Sequence, residues 1–161
     1  MIFVTIGSMF PFDRLIRLVD ELAPRWPQES FFAQVGETAL EPRNMAFAKV
    51  LGAGAFNEKV RSARLIVAHA GMGSVISAME CRKPIAVLPR LAKFGEVTTD
   101  HQLATARWLA EKPGVYVAMD EAGLEGAIGA ALAAPVDQEG MSASAPAPFL
   151  QKIRSFITEA R

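Results

Sequence analysis

An α/β domain, a mostly parallel sheet with helices on both faces, is the fold this sequence predicts. Short apolar, β-rich runs alternate with helical patterns along almost the whole chain. The runs are apolar at consecutive positions, which implies cover on both faces of the sheet, and parallel neighbours need the crossover connections that the alternation supplies. Glycine turns follow two of the strands, at the carboxyl edge where such sheets hold their ligands.

The first strand is Ile2 to Ile6, followed by Gly7-Ser8 and then Phe12, Leu15, Ile16, Val19 and Leu22 at helical spacing until Pro24 stops the pattern. Phe31 to Val35 reads as a second strand, Ala46 to Leu51 as a short third and Phe56 to Ala63 as a short helix, with glycines and Pro42 at the connections. Leu65 to Ala68 is a buried strand, Gly71-Met72-Gly73 a turn, and Ser74 to Lys83 a helix ended by Pro84, after which Ile85 to Leu88 is again a buried strand. A loop over Pro89 to Val97 leads to a helix from Thr98 to Ala110, a strand at Val115-Tyr116-Val117 and a helix from Asp120 to Ala133. Residues 134–148, rich in Ala, Pro, Ser and Gly, read as a linker between a domain over residues 1–133 and a last helix over 149–161. Phe149, Leu150, Ile153, Phe156 and Ile157 share one face of that helix, which packs on its own domain or docks a partner.

With 161 residues, 51% of them hydrophobic and 21% charged, the chain can bury one substantial core without disulfides. Lys plus Arg (17) balance Asp plus Glu (17), so no long-range positive field draws the protein onto nucleic acid or anionic lipid, and any phosphate recognition is local. The single cysteine, Cys81, rules out a disulfide framework and reads as a buried thiol compatible with a reducing compartment. No basic leader precedes Ile2, and no apolar run approaches the roughly 20 residues of a membrane span, which makes a soluble, cytoplasmic chain the expectation.

The segment from His69 to Ser74, at the junction of a strand and a helix, is the strongest chemical signal. Gly71 and Gly73 let the backbone approach a phosphate, the helix start offers free N–H groups, and Ser74 and His69 add a hydroxyl and an imidazole N–H. The same residues also suit a plain tight turn with Ser74 as helix cap. Gly7-Ser8 ends a strand that should point the same way, so two glycine turns converge at one sheet edge. Thr99-Asp100-His101-Gln102 has capping-box spacing, in which Thr99 bonds the third helical amide and Gln102 reaches back; alternatively Asp100 and Gln102 hydrogen-bond sugar hydroxyls over the same crevice. Arg90, Lys93 and Glu96 fall in the preceding loop, where charges are solvated by default, although a cation there can meet a phosphate.

Two histidines and one cysteine, far apart, make no metal-ligand cluster, and no Walker lysine pattern is present. The dinucleotide fingerprint is incomplete: its third glycine is replaced by Ile76, and Pro89-Arg90 stands where the acidic ribose partner belongs, which disfavours NAD.

Three ordered motifs, over roughly residues 1 to 118, carry a family resemblance. They are Phe3 to Ser8 with Phe12-Asp13-Arg14-Leu15, then His69 to Ser74, then Pro89-Arg90 through Lys93-Phe94-Gly95-Glu96 to Asp100-His101-Gln102. The chain resembles the carboxyl-terminal, donor-binding domain of family 28 glycosyltransferases of the GT-B architecture, a Rossmann-like fold. It is most similar to small stand-alone versions, the PssE/EpsE-type exopolysaccharide subunits and the small subunit of the two-part enzyme that adds the second N-acetylglucosamine to dolichol-linked oligosaccharide.

The resemblance implies a UDP-sugar donor, with His69 and Gly71, Met72, Gly73 and Ser74 on its diphosphate, Gly7 and Ser8 lining the crevice, and Asp100 and Gln102 on the sugar. It implies inversion without a bound metal and no cofactor. Many relatives carry a ribose-gripping Glu seven residues before the proline that opens the next strand; this chain has Ser77 there, and Glu80 lies one helical step away. The GT-B catalytic base and acceptor site belong to an amino-terminal domain, so the resemblance implies a partner that supplies them, in similar systems a membrane-anchored subunit acting on a lipid-linked glycan. A chain held at the inner face of the membrane through that partner is the corresponding expectation. A non-catalytic module that binds a nucleotide sugar and regulates a transferase fits the same residues, and an NAD-binding oxidoreductase domain fits the glycine loop alone.

Overall fold

A computed structural model describes residues 1–134 and 147–159. Its sheet contains β1 (Ile2–Thr5), β2 (Phe31–Gln34), β3 (Ala46–Ala48), β4 (Leu65–His69), β5 (Ile85–Leu88) and β6 (Val115–Val117). All neighbours are parallel, in the order β3-β2-β1-β4-β5-β6. The helices are α1 (Asp13–Leu22), α2 (Ala53–Ser62), α3 (Met72–Glu80), α4 (His101–Leu109), α5 (Leu124–Ala133) and α6 (Ala147–Glu159), with single 3-10 turns at Ala23–Arg25 and Ala92–Phe94.

The consecutive apolar positions of the strands are explained by two cores. Because side chains alternate along a strand, Ile2, Val4, Leu65, Val67, Ala86 and Leu88 pack on one face with Leu15, Ile16 and Val19 of α1 and Leu124 and Ile128 of α5. Phe3, Ile66, Ala68, Ile85 and Val87 pack on the other with Val60 of α2, Val75 and Ala78 of α3, and Ala106 and Leu109 of α4. Residues on β1, β4 and β5 are almost wholly buried on both faces, whereas β3 is a half-exposed edge.

Several boundaries differ from the sequence reading. Helix α3 begins at Met72, so Met72 and Gly73 form its first turn rather than a separate loop, and Gly71 is its N-cap. It ends at Glu80, and Arg82 turns the chain with a φ of 52°. Helix α2 starts at Ala53, one turn earlier than its apolar pattern. Helix α4 starts at His101 and α5 at Leu124, and the carboxylates of Asp100 and Asp120 before them accept the loop amides of Ala92 and Gly123. Cys81 is half-buried beside the second core rather than fully buried. Most of the expected linker, residues 135–146, lies outside the described residues. On α6, the side chains of Leu150, Ile153, Phe156 and Ile157 are exposed. No helix among the described residues is long and apolar enough to cross a membrane.

Candidate functional site

The chain leaves β1 toward β2 and β3 on one side and returns through β4 to β5 and β6 on the other, so β1 and β4 flank the topological switch point, where loops from both halves open a crevice at the strands' carboxyl ends. Thr5 and Ala68 pair across it, and the turns that follow, at Gly7 and at Gly71, meet there. Gly7 has a φ of 76°, a left-handed conformation that favours glycine. Its turn is tied into the sheet by a buried polar chain: Gly7 N–H donates to Thr5 Oγ1 (3.2 Å), Thr5 Oγ1 donates to Gln34 Oε1 (2.7 Å), and Gln34 Nε2 donates to the Gly7 carbonyl (3.4 Å).

The His69 ring is wedged between the two turns. A Cβ on Gly7 would lie 2.7 Å from its Cε1, and one on Gly71 only 2.0 Å from its Nε2. Both glycines are therefore required by the imidazole, and Gly7 by its backbone conformation as well. Gly73 differs, since a Cβ there would meet nothing within 4 Å. Burial, and secondarily the charge of Arg90, push the His69 pKa down to about 4, so at neutral pH the ring is uncharged with one N–H to donate. Its Nδ1 is buried without a partner.

Helix α3 points its start at the same place. Its first i→i−4 bond is Val75 N–H to the Gly71 carbonyl, leaving the Met72, Gly73 and Ser74 amides as open donors at the positive end of the helix. Ser74 makes no capping hydrogen bond, which removes the plain-cap reading of that residue.

These elements bound a cavity of about 850 Å³, within the size range of sites for drug-sized ligands. Gly7, Ser8, His69, Gly71, Met72, Gly73 and Ser74 line it, and so do Ser77, Arg90 and Gln102. The Ser77 hydroxyl donates to the Gly73 carbonyl (3.0 Å), while Glu80, at the exposed end of α3, does not reach the cavity. Among the described residues no carboxylate lines the cavity, and Arg90 is its one Lys or Arg.

The β5–α4 loop departs most from the sequence reading. Arg90 is not a solvated loop charge: it is 3% exposed, and its guanidinium donates to the carbonyls of Ile6 and Phe10. Gln102 does not reach back to cap α4; it is buried, and its Oε1 accepts the Arg90 N–H (3.0 Å), while Thr99 Oγ1 pairs with His101 Nδ1 (3.0 Å) in place of a capping box. Glu96 grips Arg14 of α1 through both carboxylate oxygens (2.7 and 2.8 Å) and accepts the Leu91 amide, latching the loop onto α1. Arg14 also stacks on Phe12 and Phe94, and Lys93 lies over Phe94. Asp100, Lys93 and Glu96 thus shape the loop without lining the cavity.

Sequence reasoning missed Gln34, Asn57 and His101 as lining residues. Gln34 carried a signal, a polar residue ending an apolar strand. Asn57 carried none, because only the packing of α2 brings it to the cavity.

The family model described as Glycosyltransferase family 28 C-terminal domain matches residues 1–157. No curated protein gives a significant sequence match. Among solved structures, the glycotransferase of kitacinnamycin is similar with a TM-score of 0.60 at 16% identity, over 83% of this chain and 35% of that one. The solution structure of ALG13 aligns with a TM-score of 0.58 at 18% identity, over 94% of this chain and 93% of that one. MurG of Acinetobacter baumannii aligns with a TM-score of 0.52 at 20% identity, over 80% of this chain and 40% of that one. The chain thus spans well under half the length of the kitacinnamycin and MurG proteins, with which it shares the fold. With the family match running over nearly its whole length, the chain belongs to the glycosyltransferase family 28 C-terminal domain family.

Proposed function

We propose that this chain is the donor-binding part of a glycosyltransferase that takes a sugar from a UDP-sugar. The observation that carries the reading is the convergence of the Gly7 and Gly71 turns with the start of α3 on one cavity that no carboxylate among the described residues lines. Such a cavity suits a diphosphate. Met72, Gly73 and Ser74 amides donate to its oxygens, and neutral His69 adds an N–H as negative charge develops on the departing group. Gly7 and Ser8 line the opposite wall, and Gln102 faces the sugar, with Asp100 supporting the loop beside it. Ser77, which lines the cavity, takes the ribose in place of the relatives' glutamate on this reading.

On this reading the acceptor site and catalytic base lie on a membrane-anchored partner subunit, and the acceptor is a lipid-linked glycan in exopolysaccharide or capsule synthesis. The exposed Ile153, Phe156 and Ile157 face of α6 is the docking element for that partner, which places the chain at the inner face of the membrane. The ALG13 alignment, over 93% of that chain, shows that the fold occurs in a chain of about this size.

Calorimetric titration with UDP, UMP, GDP and NAD tests the donor reading. UDP is expected to bind most tightly, and Gly73→Ala is expected to weaken it by about tenfold while leaving the fold intact or slightly more stable, since alanine is favoured over glycine within a helix by about 1 kcal/mol. NAD preference, or UDP affinity unchanged by Gly73→Ala, contradicts the site.

A further inference from the structure

Arg90 holds a full charge where folding gives little reason for one. It is 3% exposed, its Nε has no partner, and none of the ion pairs among the described residues includes it. Glu96, whose charge favours the guanidinium, is itself committed to Arg14 through both oxygens. An unpaired buried charge is costly, and a neutral amide side chain caps carbonyls without that cost. The Phe12 ring, 5.2 Å from the guanidinium carbon, offsets only part of it.

The contacts of Arg90 give the charge a place. Its guanidinium takes the carbonyls of Ile6 and Phe10, which bracket the Gly7 turn, while Gln34 takes the Gly7 carbonyl. Three negative peptide ends of the loop are thereby occupied by side-chain donors. The Arg90 backbone N–H in turn fixes Gln102 Oε1, so the amide NH2 of Gln102 is the end left for a ligand. The Arg90 side chain thus organises the β1–α1 loop, the residue's backbone N–H holds Gln102, and among the described residues Arg90 lines the cavity with the only Lys or Arg charge.

We propose that the Arg90 side chain is the positioning group of this cavity and the source of its positive field, serving a bound diphosphate through the Gly7 loop and by its charge. The inference rests on the donor-site reading for the identity of the ligand, but its anion part is independent of the nucleotide.

The test compares the full chain with Arg90→Met and Arg90→Lys, using inorganic pyrophosphate, UDP and uridine as calorimetric probes. Arg90→Met is expected to weaken pyrophosphate and UDP by at least about tenfold and uridine by less than about twofold, with Arg90→Lys recovering part of the loss because it keeps the charge. Equal losses for UDP and uridine, or no loss for pyrophosphate, overturn the proposal. Should Arg90→Met not fold, the wild-type chain labelled with 15N-arginine decides. The Arg90 Nε–H resonance is expected to move as pyrophosphate saturates the site, and an unmoved resonance overturns the proposal. Pyrophosphate binding that depends on Arg90 without UDP preference sinks the nucleotide-sugar reading and leaves this inference standing. UDP binding indifferent to Arg90 does the reverse, and a wild-type chain that binds neither probe sinks both.

Discussion

Replacing Gly71 with alanine is expected to destabilise the fold by about 3 kcal/mol and to abolish measurable UDP binding. The backbone is not the obstacle, because Gly71 sits at a φ of −101°, which alanine adopts freely. The new Cβ would fall 2.0 Å from His69 Nε2, and the ring has no room to retreat since Gly7 closes its other side. The cost is therefore a steric coupling between two side chains, and it should vanish when the ring is removed: His69→Ala in the Gly71→Ala background is expected to restore most of the lost stability. Chemical denaturation of the two single variants and the double variant measures this coupling directly. Gly7→Ala provides the contrast. Its Cβ also meets the ring, but its φ of 76° costs an L-residue about 1–2 kcal/mol by itself, so His69→Ala should rescue it only in part. Additive effects of Gly71→Ala and His69→Ala would mean that the ring is not wedged between the turns.

Acid is expected to weaken the folded protein through His69 in a defined window. The unfolded histidine takes up a proton near pH 6.5, whereas the buried ring resists it until about pH 4. Between these values the unfolded state binds the extra proton, so stability falls as pH drops from about 6.5 to about 4 and levels off below, while above 6.5 this group contributes no pH dependence. The full effect is roughly 3 kcal/mol. Carboxylates titrate in the lower part of the same range, so the informative quantity is the difference between wild type and His69→Gln. That variant should lose the His69 part of the decline, read as a flatter stability curve between pH 6.5 and 5 in denaturant melts. Parallel curves for the two proteins would place His69 in solvent.

Much of the architecture was legible in the sequence because strands buried on both faces must be apolar at consecutive positions, a local property. Ile2 to Ile6, Leu65 to Ala68 and Ile85 to Leu88 announced themselves in this way, as did α1 through the spacing of Leu15, Ile16 and Val19. Helix starts were less legible. Capping-box spacing at Thr99 to Gln102 is a statement about one helix, but Gln102 found a buried acceptor role at the Arg90 amide, contributed by the loop after β5, twelve residues away. Gly71-Met72-Gly73 looked like a turn because glycine disfavours helices, yet here the helix begins inside it, with Gly73 facing open space.

The sequence by itself determined that this is a parallel α/β domain, that its two glycine turns end strands, and that its basic and acidic residues balance. These follow from periodicity, composition and local chain sterics, which act between near neighbours. Only the tertiary structure decided what the charged and polar residues do. Arg90, read as a solvated loop cation, is buried against the Gly7 loop; Glu96 is spent on Arg14; Asp100 caps a loop amide; and His69 is held neutral between Gly7 and Gly71. Each role depends on partners that the strand order β3-β2-β1-β4-β5-β6 brings together from distant parts of the chain. Desolvation and hydrogen bonding, unlike apolar patterning, are set by those neighbours in space.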